Sequence, residues 1–152
     1  GWHRAGAAVM AADCVLCREA GGVPVFQGAQ LRVIRAEEVG FPVFYRVIWQ
    51  AHVAELSDLS GQERNTCMAA VVAVERVVRA RLAPDKINLA ALGNMVPHLH
   101  WHVIARYEWD SHFPGAVWAN PLRARDLARE AQLQAELAAC DAAIAQALAP
   151  WA

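Results

Sequence analysis

Short runs of alternating apolar and polar residues, separated by turn signals, divide the chain into strands and two long helices. Residues 23–27 and 31–35 are rich in branched side chains and read as a hairpin turning at Gly28-Ala29. The run Val-Phe-Tyr-Arg-Val-Ile-Trp at 43–49 is too apolar to leave one side in water, which gives it a central place in a sheet. From Gly61 to Leu82 the positions Met68, Val71, Val72, Val74, Val77 and Val78 recur at helical spacing. Ser60 and Glu63 form a capping box at its start. Valines lower helix propensity, so packing must hold this helix. Pro84-Asp85 turns the chain into a fourth strand at 87–92, and Pro97 marks the start of a fifth at 98–104. Asn120-Pro121 reads as an N-cap followed by proline in the first turn of a helix over 122–148, with a stripe of Leu127, Leu133, Leu137, Ile144 and Leu148. The expected architecture is α+β: an antiparallel sheet of about five strands, one packed helix and a C-terminal helix.

The fifth strand carries the chemistry. His98, His100 and His102 alternate with Leu99, Trp101 and Val103. On a strand, side chains two apart share a face, so three imidazoles lie on one side while the apolar residues pack on the other. On a helix successive members would be about 200° apart. Three readings follow. The row is a metal site, since strand histidines at i and i+2 can both ligate zinc. It is a nucleophilic or acid–base centre, since imidazole titrates near neutral pH. Or it is an ordinary polar face.

Composition narrows the field. A chain of 152 residues suits a single domain over 13–152. Residues 1–12 lack the apolar centre of a signal peptide and read as a flexible N-terminal arm, which makes the protein cytoplasmic. No apolar run approaches the ~20 residues of a membrane span. A net charge of −1 gives no global basic field to recruit a nucleic-acid polymer. Cys14 and Cys17 form a C-x-x-C that can be a zinc half-site, a redox pair or a coincidence, whereas Cys67 reads as a small core residue. His52, alone in the loop after the third strand, is by itself unremarkable. The aperiodic, aromatic segment 109–118 is either a satellite core or a lid; its position directly after the histidine strand favours a lid, with Trp109 and His112 at the ligand.

His-Leu-His-Trp-His-Val-Ile at 98–104 resembles the signature of the histidine triad (HIT) family of nucleotide hydrolases and transferases. Asn-Leu-Ala-Ala-Leu-Gly-Asn at 88–94 and Asp-Ser-His-Phe-Pro at 110–114 are similar to its bacterial branch, and the likeness extends over about 13–120. The resemblance implies a HIT-like fold, a homodimer and a purine nucleotide substrate. It makes His100 the nucleophile toward an α-phosphorus, with one ring nitrogen held by a backbone carbonyl near His98. It places His102 against phosphate or leaving-group oxygens and Asn88 against the reacting phosphate. Where many members carry Ser or Thr, this chain has Met95, so that hydroxyl contact is absent unless Asn94 or a backbone N–H replaces it. The resemblance also gathers Cys14, Cys17, His52 and His98 as ligands of a structural zinc, a closed tetrahedral set. Two other readings remain open: a nucleotide-binding module with negligible turnover, and a metalloenzyme holding one catalytic zinc on all three triad histidines.

Overall fold

The computed structural model describes residue 11 and residues 13–152, so the expected arm over 1–12 lies, Ala11 apart, outside the described residues. After a single helical turn, α1 (Val15–Arg18), come β1 (Val23–Gln27), β2 (Leu31–Arg35) and β3 (Phe44–Trp49). A long helix α2 (Gly61–Leu82) follows, then β4 (Lys86–Ala90), β5 (His100–Arg106) and a second long helix α3 (Leu127–Ala147). The five strands form one antiparallel sheet in the order β1-β2-β3-β5-β4. The α+β architecture read from the apolar pattern is the one observed. No helix among the described residues is long and apolar enough to cross a membrane.

Strand alternation separates two faces. Leu31 and Val33 of β2, Tyr45, Val47 and Trp49 of β3, and Val103 and Ala105 of β5 all point into one buried cluster. Val71, Val74 and Val78 of α2 and Leu137, Cys140 and Ile144 of α3 close that cluster from above. Burial of these branched residues holds a helix of modest intrinsic propensity. Its start is the expected capping box: Ser60 Oγ accepts from Glu63 N–H, and the Glu63 carboxylate accepts from Ser60 N–H.

The opposite face carries two smaller apolar clusters, one at each end. Cys14 and Leu16 cover Ile34 and Ile48 at one end, while Ala36, Phe41, Phe44, Ile104 and Val117 pack at the other. In register across β3 and β5, Ile48 stands opposite His100, Arg46 opposite His102 and Phe44 opposite Ile104. A polar strip of Arg46, His100 and His102 therefore lies between the two apolar ends.

Three expected boundaries move. His98 precedes β5, which begins at His100 and runs on to Arg106. The fourth strand ends at Ala90, leaving Leu92 exposed in the following loop. The C-terminal helix starts at Leu127, not at 122, because Asp126 is the residue whose carboxylate accepts from Arg129 N–H. Leu122 and Arg123 are instead drawn away by backbone bonds to the Ser111 carbonyl. Leu127, expected in the apolar stripe, is 64% exposed.

Candidate active site and metal centre

The backbone orients the His100 ring. Its Nδ1–H donates to the His98 carbonyl at 2.6 Å, so the lone pair of the neutral ring lies on Nε2. Burial, only partly offset by that carbonyl, holds the His100 pKa below the usual imidazole range, which keeps the ring neutral near pH 7. His102 lies edge-on to His100, with ring centroids 5.0 Å apart. Burial and then the charges of His100 and Arg46 push its pKa down to about 4.

His98 is committed elsewhere. Its Nε2–H donates to the Trp49 carbonyl, which turns Nδ1 toward the start of the chain. There Nδ1 lies 3.5 Å from Cys14 Sγ, 3.4 Å from Cys17 Sγ and 3.1 Å from His52 Nδ1. The four ligand atoms of Cys14, Cys17, His52 and His98 all lie within 4.8 Å of one another, so the group can hold a metal ion. Two thiolates and two imidazoles match a closed tetrahedral centre. A carbonyl anchoring the far nitrogen of a ligating imidazole is the usual outer support of such a site. Arg32 steadies the knuckle, its guanidinium donating to the carbonyls of Leu16, Glu19 and Ala20.

Asn88 faces the same side as the triad, in register with Ile104. Arg106, 1% exposed, donates to its Oδ1 at 2.9 Å. Arginine has only donors, so the Asn88 amide NH₂ is left for another partner. Asp110 takes the other edge of Arg106 in a two-pronged ion pair and also accepts from the N–H groups of Tyr107, His112 and Phe113. Arg106 further donates to the Gly115 carbonyl, and Arg123 to those of Asp110 and Phe113. The segment after β5 is thus laced down as a strap across the far end of the histidine-bearing face.

The match covers 19–109 with the HIT domain model, well over half the chain. This chain belongs to the HIT family. Its fold is similar to a histidine triad protein from Bradyrhizobium japonicum at 27% identity, with TM-score 0.63, covering 78% of this chain and 90% of that one. A second such protein, from Marinobacter aquaeolei, shows 25% identity and TM-score 0.64, covering 80% and 89%. A third, from Sinorhizobium meliloti, shows 26% identity and TM-score 0.64, covering 80% and 87%. No curated protein matches the chain.

Among the residues singled out from sequence, His98, His100, His102 and Asn88 come together on one side of the sheet. Cys14, Cys17, His52 and His98 meet at its end. Trp109 does not join them: its ring stacks on Tyr107 at 5.1 Å, under Arg129, against the helix-covered core. Its ring is turned away from the triad, and Trp118 is the tryptophan beside it, 55% exposed with its ring 5.3 Å from His102. His112 lies in the strap, bonded to Ser111 Oγ and edge-on to Phe41. Asn94 stands exposed in the loop before β5, next to Met95, itself 93% exposed. Sequence reasoning missed Arg46 and Arg106; each is the single arginine of its strand, and that was the available signal for both.

Proposed function

We propose that this HIT protein cleaves nucleotides at the α-phosphate through a covalent nucleotidyl-His100 intermediate. The observation that carries the reading is the bond from His100 Nδ1–H to the His98 carbonyl, which directs the lone pair to Nε2. Nε2 attacks the α-phosphorus, the bond to the leaving group breaks, and the electron pair departs with that group. Water then attacks the same phosphorus, the P–N bond breaks, and nucleoside monophosphate leaves. His102 donates to phosphate oxygen, as does the Asn88 amide that Arg106 leaves available. Half-exposed Trp118 offers a ring on which a purine base stacks. The substrate class is a purine nucleotide with a good leaving group: a dinucleoside polyphosphate, a nucleoside phosphoramidate or an adenylated small molecule.

Zinc on Cys14, Cys17, His52 and His98 would clamp the N-terminal knuckle to the end of β3 and the start of β5. A closed site of this kind supplies folding energy, not a catalytic water. Both nitrogens of His98 are directed away from His100 Nε2, which disfavours a single catalytic zinc shared by the three triad histidines. We extend the reading to a homodimer, because β4 leaves one sheet edge open while β1 lies against α3 and the chain's end. Four cysteines outside any disulfide suit a reducing, cytoplasmic setting.

The test is steady-state product formation from adenosine 5′-phosphoramidate, diadenosine polyphosphates and an aminoacyl adenylate. Release of AMP from at least one, lost in His100→Ala, is the expected result. Tight nucleotide binding with no turnover of any of them would make the protein a binding module.

A further inference from the structure

The site contains a cation that the triad alone does not account for. Arg46 is the half-buried member of an otherwise buried strand, and it stands in register with His102 across the β3–β5 pair. Its Nε–H donates to His102 Nδ1 at 3.4 Å, and its guanidinium carbon lies 5.4 Å from the Phe44 ring centroid. Its outer edge meets Glu38 at 3.3 Å, a pair exposed enough to add little stability by itself.

We propose that Arg46 is a positioning residue for the triad: by donating to His102 Nδ1 it fixes His102 as the neutral Nε2–H tautomer and orients that N–H as a hydrogen-bond donor. A neutral imidazole has one N–H, and the nitrogen facing a guanidinium can only accept. The titratable and charged groups facing His102 are His100 along β5, Arg46 from β3 and, behind Arg46, Glu38; its register partner on β4 is the uncharged Ala90. His100 and His102 are thereby held as complementary tautomers. His100 spends its N–H on a carbonyl and keeps Nε2 as nucleophile, whereas His102 spends its lone pair on Arg46 and keeps Nε2–H as donor. The low pKa of His102, about 4, agrees with this, since the ring stays neutral throughout the working range.

The role of His102 rests on the proposed nucleotidyl transfer, so the first measurement is made without substrate. Long-range proton–nitrogen correlation on ¹⁵N-histidine-labelled protein at pH 7, with His102 assigned through His102→Gln, should show a protonated Nε2 and a bare Nδ1. A protonated Nδ1 on His102 would overturn the proposal, whether or not the protein turns over any nucleotide. The second measurement separates orientation from charge. In Arg46→Gln the side-chain amide nitrogen sits as many bonds from the backbone as arginine Nε, so it keeps the donor and removes the charge. Arg46→Leu removes both. With adenosine 5′-phosphoramidate, kcat should fall about 10²-fold in Arg46→Leu, with the His102 tautomers mixed. Arg46→Gln should keep the single tautomer and recover most of that loss. Equal losses in the two variants, or none in either, would contradict positioning; if Arg46→Leu does not fold, the wild-type and Arg46→Gln spectra still decide.

Discussion

Asp110 and Arg106 form the most deeply buried ion pair among the described residues, and what they brace is the strap beside the triad. Burial disfavours the Asp110 carboxylate, but Arg106 and the N–H groups of His112 and Tyr107 outweigh it and hold the pKa below the usual carboxylate value. A depressed folded pKa contributes stability above the unfolded value, roughly 4, and loses it as pH falls through the folded one. Asp110→Asn should therefore flatten the acid limb of the stability profile below about pH 4. It should also cost roughly 3–5 kcal/mol at pH 7, because Arg106 is left buried without its counter-charge. Denaturant melts across pH check both; an unchanged acid limb would contradict the assignment. Trp109 and Trp118 make a second contrast. Trp109→Ala should cost about 3 kcal/mol with little effect on kinetics, whereas Trp118→Ala should raise KM with little change in melting. The reverse pattern would return Trp109 to the site. Parity explains why Trp109 misleads when read from sequence: Leu99, Trp101, Val103, Ala105 and Tyr107 all face the helices, and Trp109 continues that odd-numbered series past the strand. An aperiodic sequence after a strand does not show that the strand's alternation persists.

The bounds of β1, β2 and α2 follow from their turns and caps, which are local signals and readable directly. The start of α3 is not local. Asn120-Pro121 is a good helix opening, but tertiary hydrogen bonds from Leu122 and Arg123 to Ser111 claim the backbone that would have begun it. The knuckle around α1 lies between these cases. Its C-x-x-C is visible, but only folding brings His52 and His98 to it across 35 and 81 residues of chain from Cys17. If it binds zinc, binding energy is folding energy. Metal analysis should find about one zinc per chain, and Cys14→Ser should lower zinc content and melting temperature together. Protein that carries no metal, with melting unaffected by Cys14→Ser, would leave the cluster without that role.

The sheet as a whole places covering structure at both ends of one face and leaves a polar strip between them for a ligand. The triad motif made this face recognisable, since alternation alone assigns His98, His100 and His102 to a single side. Arg46 escaped notice because a single arginine in an otherwise apolar run does not say what it faces; its meaning depends on which strand becomes its neighbour. The open edge at β4, where Leu89 is 39% exposed, is the surface proposed for a second copy. Light scattering should give twice the chain mass, and Leu89→Lys should halve it; a monomeric wild type would exclude the dimer. The nucleotidyl transfer proposed for the strip, however, depends on His100 forming a bond to phosphorus. Intact-mass and peptide mass spectrometry after rapid quenching, under non-acidic conditions, of protein mixed with adenosine 5′-phosphoramidate measures this. The account predicts an adenylyl adduct on the peptide containing His100, absent in His100→Gly. AMP release with no adduct at any time, or an adduct that persists in His100→Gly, would contradict it.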